Sequence, residues 1–193
     1  MKCFINPGHA YQGRPDPGAI NPENGMREAD VAAGIGGMVE TYLREAGVET
    51  MLLQSHNLMG ESRGLPCVVD TANDWGADIF VSIHCNGGGG RGCETLIFGA
   101  GGEREALAAA VQARVAQTIG DIDEGFRDRG LQIRPGLAVL RATQMPAILV
   151  ETAFIDTQAD AWLLYNYQDA FARAIACGVT DYQLDAIRRG IHY

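Results

Sequence analysis

A buried apolar strand that ends in an imidazole is the feature of this sequence that most constrains its fold. Residues 79–83 (IFVSI) lead directly into His84, and residues 3–5 (CFI) lead within four residues to His9. Residues 147–150 (AILV) lead directly into Glu151. Histidine and glutamate rarely fill protein cores, and open α/β sheets bind ligands beyond the carboxyl ends of their strands. The three strand ends therefore predict a functional site on an α/β sheet.

Apolar runs alternate with longer segments of helical periodicity along the chain, which is typical of a layered α/β domain. We predict strands at residues 2–5, 48–53, 78–84, 94–98, 138–141 and 147–151. We predict helices at residues 27–46, 61–75, 102–118, 157–166 and 168–183, with Gly47 and Gly76 ending the first two. The expected fold has three layers, with a mostly parallel or mixed six-stranded sheet and helices on both faces. We expect one domain at residues 1–185 and a C-terminal tail at 186–193.

Composition narrows the classes of partner. The chain has 24 acidic and 15 basic residues, a net charge of −9 that argues against nucleic-acid binding. No apolar run approaches the roughly 20 residues that a membrane-spanning helix needs, and residues 1–5 enter a strand without a signal-peptide pattern. The five cysteines include no CxxC pair, which predicts neither a disulfide framework nor a thiolate zinc site. We expect a monomer.

Two histidines and one glutamate form a common ligand set of catalytic zinc sites, which leave a fourth position for water. His9 and His84 would supply the imidazoles, and Glu28, close in sequence to the His9 loop, is the natural carboxylate. A glutamate in the first turn of a helix also favours the helix dipole without binding anything. Spacing alone favours that simpler explanation of Glu28.

Glu151 then remains as a general acid or base beside the metal. The alternative is a buried carboxylate paired with an arginine, since an unpaired buried charge is costly. Cys85 is either a nucleophilic thiol beside His84 or a residue that packs on the opposite face of the strand. We expect His56, in a polar loop, and His192, near the C-terminus, to be bystanders.

Several ordered motifs together give the chain a clear resemblance to the zinc-dependent N-acetylmuramoyl-L-alanine amidases, the catalytic domains of bacterial cell-wall amidases and phage endolysins. The matching segments are NPGH at 6–9, DPGA at 16–19, GMRE at 25–28, Arg63 with AN at 72–73, SIHCN at 82–86, GCET at 92–95, VLR at 139–141 and PAILVETAFI at 146–155. The resemblance runs over nearly the whole chain. Asn6 departs from it, since the family often has aspartate there, which puts the orientation of His9 in doubt.

This resemblance implies that His9, Glu28 and His84 bind Zn²⁺ and that Glu151 is the acid-base residue. It also demotes Cys85 as a nucleophile. The implied reaction is hydrolysis of the amide between N-acetylmuramic acid and L-alanine in peptidoglycan. Arg63 and Asn86 are possible substrate-binding residues, with structural roles equally open.

The sequence also leaves two alternative functions open. A zinc exopeptidase or carboxypeptidase on a related α/β scaffold could use the same ligands, and a non-catalytic wall-binding module could keep the fold alone. We expect action at the bacterial cell wall, by a phage-type lysin made in the cytoplasm or by an isolated catalytic domain.

Overall fold

The computed structural model describes residues 1–191 and 193, which include a six-stranded sheet and six α-helices. The strands are β1 (Lys2–Pro7), β2 (Glu49–Leu52), β3 (Ile79–Asn86), β4 (Cys93–Ile97), β5 (Asp128–Ile133) and β6 (Ala147–Phe154). The helices are α1 (Glu28–Glu45), α2 (Val68–Trp75), α3 (Gly102–Gly120), α4 (Ala138–Ala142), α5 (Gln158–Asn166) and α6 (Gln168–Arg188). His192, which the sequence suggested to be a bystander, lies outside the described residues.

The sheet is mixed, and its strand order is β2-β1-β3-β6-β4-β5. Strands β2, β1, β3 and β6 are parallel to one another. Strand β4 pairs antiparallel with β6, and β5 runs parallel to β4. The predicted mixed six-stranded α/β fold is therefore confirmed, and β3 and β6 lie side by side at its centre.

Alternate residues of the central strands pack into two separate cores. On one face, Ile79, Val81 and Ile83 join the larger apolar cluster, which contains the buried faces of α1, α3 and α6. On the other face, Phe80 joins a smaller cluster with residues of α2 and α4. Burial of both faces explains why β3 reads as a continuous apolar run rather than an alternating one. His84 and Glu151 belong to the face on which α2 and α4 pack.

Three predicted elements need correction. Residues 138–141, predicted as a strand, form helix α4, and residues 128–133, which we left unassigned, form strand β5. Helix α2 begins at Val68 rather than near residue 61. Helix α6 continues to Arg188, beyond the predicted end at residue 183. Gly47 and Gly76 do follow α1 and α2, with φ of +80° and +68°. No described helix combines the length and the apolar character needed to cross a membrane.

Candidate metal centre and active site

Three side chains from distant parts of the chain meet on the sheet face that α2 and α4 cover. His9 follows β1, Glu28 begins α1 and His84 lies in β3, and one ligand atom from each falls within 4.8 Å of the other two. Glu28 bridges the imidazoles, with Oε2 2.9 Å from His9 Nε2 and Oε1 2.9 Å from His84 Nδ1. Two imidazoles and one carboxylate match the protein ligands of a catalytic zinc site with an open fourth position.

Two glycines make room for this cluster. A Cβ atom at Gly8 would lie 2.3 Å from His84 Cε1, so the His84 ring packs directly on the Gly8 backbone. A Cβ atom at Gly18 would lie 2.5 Å from Glu28 Oε2, and Gly18 also has φ of +67°. His9 itself has φ of +67°, a left-handed conformation that non-glycine residues seldom adopt and that is often found at functional sites. The glycines of the NPGH and DPGA segments are thus required by close contact with the ligand cluster.

Glu28 is buried but well satisfied by hydrogen bonds. Its Oε2 accepts the Ala19 N–H at 2.8 Å, and its Oε1 accepts the Cys85 N–H at 3.0 Å. Burial raises the pKa of Glu28, but hydrogen bonds and charge attraction from His84 and His9 outweigh it and hold the pKa well below its usual range. Burial likewise lowers the pKa of His9, but Glu28 and Asp16 outweigh it and raise the pKa to about 9. Glu28 is thus a carboxylate anion held between two imidazoles. Together these three groups offer ligand atoms suited to a cation.

Asp16 holds His9 in position. Its Oδ2 lies 2.9 Å from His9 Nδ1, which leaves Nε2 facing Glu28, and its Oδ1 accepts the Gly18 N–H at 3.1 Å. A carboxylate on the second ring nitrogen is a common support for a metal-binding histidine. The orientation of His9 therefore does not depend on Asn6. The Asn6 side chain instead donates to the Leu53 carbonyl and accepts from the Ser82 hydroxyl. The DPGA segment was noted in the sequence, but its aspartate was not assigned this role.

Glu151 lies level with the cluster, because its β6 position pairs with His84 on one side and with Glu94 on the other. Its Oε2 is buried and has no hydrogen-bond partner among the described residues. Burial raises the pKa of Glu151 to about 7, with the nearby Glu28 and Glu94 charges adding to the rise and His84 opposing it. The arginine-paired alternative finds no support, since Arg129 binds Glu94 instead. Strand β6 runs on to Phe154, so Glu151 lies within the strand and not at its end.

The two predicted substrate-binding residues, Arg63 and Asn86, belong to different elements of the fold. Asn86 ends β3, where its Nδ2 donates to Glu94 Oε1 at 2.9 Å. Arg63 is exposed in the loop before α2 and does not line the pocket described below. Cys85 points to the opposite core: burial raises the pKa of its thiol far above the ordinary value, and its Sγ lies 3.5 Å from Thr152 Oγ1. A nucleophilic role for Cys85 is thus disfavoured.

A pocket of about 150 Å³ opens beside His9 and His84. Its lining includes the polar residues Asp16 and His56 and the apolar residues Leu58, Leu137, Val139 and Leu149. His56, which we expected to be a bystander, lines this pocket. The buried Ser55 and Asn57 fix the loop on either side of it through hydrogen bonds to the Pro66 and Leu65 carbonyls. No sequence pattern pointed to His56, because a single histidine in a loop has no periodicity.

Comparison with known proteins decides the family. The family model described as N-acetylmuramoyl-L-alanine amidase matches residues 3–181. The chain belongs to the N-acetylmuramoyl-L-alanine amidase family. It is 36% identical over 181 residues to the sporulation-specific amidase of Bacillus subtilis, covering 92% of this chain and 65% of that protein. It is 32% identical over 187 residues to an endolysin of Bacillus phage SPP1, covering 91% of this chain and 62% of that protein.

Solved amidase structures share the fold. The amidase AmiC2 of Nostoc punctiforme superposes with a TM-score of 0.79 at 32% identity, covering 95% of this chain and 97% of that one. An amidase from Clostridium difficile 630 gives a TM-score of 0.79 at 28% identity, covering 96% and 97%. The chain spans about two thirds of the length of its first two curated relatives and 35% of a third. In these three curated relatives the matched region is therefore part of a longer chain.

Proposed function

We propose that this domain hydrolyses the amide bond between N-acetylmuramic acid and L-alanine in peptidoglycan, with zinc as its cofactor. One observation carries the proposal: the bridged cluster of His9, Glu28 and His84 lies level with Glu151, a buried carboxylate without a partner among the described residues. Family membership supports the choice of bond. The site of action would be the bacterial cell wall.

His9, Glu28 and His84 would hold the zinc ion, with Asp16 fixing the His9 ring. The donor set fits, because both imidazoles already present a ring nitrogen to the same carboxylate. When bound, zinc supplies Lewis acidity, which polarises a carbonyl oxygen and makes a water easier to deprotonate. The exposed fraction of the His9 and His84 side chains, 21% and 19%, leaves the cluster open to substrate.

Glu151 performs the proton transfers. It accepts a proton from the water that attacks the amide carbonyl, and the new C–O bond forms as the C–N bond weakens. It then gives that proton to the departing nitrogen, so the products are the lactyl carboxylic acid and a free L-alanine amine. Burial raises the pKa of Glu151 in the metal-free protein to about 7, which favours a carboxyl group that both accepts and releases a proton. The pocket lined by His56 and Leu149 would receive the substrate next to the scissile bond.

The test compares Glu151→Gln and His84→Ala with wild type on a purified muramoyl-peptide, with bound zinc measured for each protein. Glu151→Gln should retain zinc and lose about 10²- to 10⁴-fold in kcat, since a general acid-base residue contributes on that order. His84→Ala should lose both zinc and activity. Glu45→Gln, at an exposed site near the end of α1, is the matched control and should behave as wild type. Full activity of Glu151→Gln would show that another residue moves the proton.

The products separate this reaction from peptidase activity. Amidase action on cell wall releases free L-alanine amino termini and no new peptide carboxyl termini. New carboxyl termini would identify a zinc exopeptidase or carboxypeptidase instead. Absence of zinc binding by the wild-type protein would favour a non-catalytic wall-binding module.

A further inference from the structure

A second groove, of about 390 Å³, lies between the loop at residues 21–24 and helix α5. Helix α5 contributes Trp162 and Tyr165, which are 54% and 75% exposed. The two residues are three positions apart in a helix and so lie on the same face. Exposed aromatic surface rimmed by polar groups marks a place where another molecule binds.

The opposite wall of the groove offers polar groups that are free to bind a ligand. Asn24 uses its Oδ1 to accept the Met26 N–H at 2.9 Å, and its Nδ2 makes no hydrogen bond among the described residues. Glu23, on the same loop, and Gln158, in the first turn of α5, are exposed and equally free of side-chain hydrogen bonds within that part of the chain. The groove thus combines two aromatic rings with amide and carboxylate groups.

The loop wall of the groove is connected to segments that contact the catalytic cluster. Asn21 donates to the Ile155 carbonyl at 2.7 Å, which attaches the loop to the end of β6. Ile155 is four residues beyond Glu151, a span of at most about 13 Å in an extended strand. The same loop segment carries Ala19, whose N–H binds Glu28. The loop that forms one wall of the groove is therefore continuous with the segment that binds Glu28.

We propose that this groove binds the N-acetylated glycan strand of the substrate. A pyranose ring presents C–H groups on its faces, which pack on the electron-rich faces of aromatic rings. Its hydroxyl and acetamido groups project from the edge, where amide and carboxylate side chains can bind them. The net charge of −9 and the carboxylate of Glu23 favour a neutral sugar over an anionic polymer. The choice of sugar rests on the proposed function.

The test uses N,N′,N″,N‴-tetraacetylchitotetraose, a neutral tetramer of β-1,4-linked N-acetylglucosamine, and needs no catalysis. The chain has two tryptophans, so Trp75→Phe leaves Trp162 as the sole tryptophan reporter of the groove. Titration of the tetramer into the Trp75→Phe protein should give a saturable change in fluorescence. By calorimetry, Trp162→Ala should weaken binding about tenfold, as expected for loss of one stacked ring. Leu184→Ala, also 54% exposed but on α6, should bind the sugar as wild type does.

Two results would overturn the proposal: no saturable binding of the tetramer, or an equal loss in Leu184→Ala. Self-association that Trp162→Ala abolishes, measured by sedimentation in the absence of sugar, would assign the rings to a contact between copies and overturn it as well. On glycan-linked muramoyl-peptide, Trp162→Ala should raise KM more than on the isolated muramoyl-peptide. Sugar binding by a protein with no amidase activity would contradict the proposed function alone, so the two failures are distinguishable.

Discussion

At the residue scale, Asp16 and Glu151 show how the surroundings of a carboxyl group set its pKa. Asp16 is half exposed. Partial burial raises its pKa, but hydrogen bonds from His9 and the Gly18 N–H outweigh burial, so the pKa lies below its usual value. Glu151 is buried without a partner among the described residues, and its pKa rises to about 7. Asp16 is therefore an anion that orients an imidazole, whereas Glu151 is suited to exchange a proton.

Asp16→Asn should weaken zinc binding about 10- to 100-fold, the usual effect of removing a carboxylate behind a metal-binding histidine. The amide keeps the size of the side chain but not its charge, so the His9 ring loses electrostatic support. Competition against a zinc-chelating dye measures the affinity. Asp30→Asn is the matched control, because Asp30 forms an exposed ion pair with Arg27 and does not touch the cluster. Equal zinc affinity of Asp16→Asn and wild type would contradict this role.

At the element scale, the packing of α1 against β1 places Glu28 beside His9. Adjacent glycines in α1 differ in what surrounds them. A Cβ atom at Gly36 would lie 2.7 Å from the Pro7 ring, at the end of β1, whereas a Cβ atom at Gly37 meets no atom within 4 Å. Gly36 thus permits the close approach of helix and strand, and Gly37 does not contribute to it.

These adjacent glycines make a matched pair for a stability measurement. Gly37→Ala should stabilise the fold by about 0.5–1 kcal/mol, because alanine in a helix restricts the unfolded chain at no cost in space. Gly36→Ala should destabilise it by about 1–3 kcal/mol, since overpacking must push Pro7 or α1 aside. Urea unfolding of both variants gives the two values. Equal effects would show that the contact with Pro7 does not determine the response.

The sequence predicted the long, periodic elements and missed two short ones. Strand β5 (DRGLQI) lies at the sheet edge, contains Gly130 and buries none of its residues fully, so it lacks both an apolar run and clear alternation. Helix α4 (AVLRA) reads as an apolar run and becomes helical because Val139 and Leu140 together pack on the sheet. Short apolar runs do not distinguish strand from buried helix, since both periods fit within so few residues.

At the scale of the whole molecule, the ionisable residues of the site couple stability to pH. The pKa of Glu151 is raised by burial from 4.5 to about 7, so its stabilising protonated state is lost as pH rises through 7. For His9 the carboxylates outweigh burial and raise the pKa from 6.5 to about 9, so its contribution is present below pH 6.5 and lost as pH rises through 9. Glu151 and His9 therefore both lower the free energy of unfolding as pH rises from about 5 to about 9.

The metal-free protein should therefore lose on the order of 5 kcal/mol of unfolding free energy between about pH 5 and pH 9, with Glu151 and His9 each contributing about half. Urea unfolding in a chelator measures this change, and Glu151→Gln should reduce it. Zinc should act in the opposite sense: its stabilisation should grow as pH rises from about 6 to 8, because metal binding displaces protons from the ligands. Metal-free stability that rises over this range would contradict the assigned environments.

The sequence by itself determined the α/β class and the central strands, and it predicted His9, His84 and Glu151 as site residues, because apolar runs that end in ionisable side chains are local patterns. Only the tertiary structure showed Glu28 between the two imidazoles, Asp16 against His9 and His56 in the lining of the pocket beside them. Those relations depend on which strands lie side by side and how closely α1 approaches β1. They are contacts between residues far apart in the chain, and no local pattern encodes such distances.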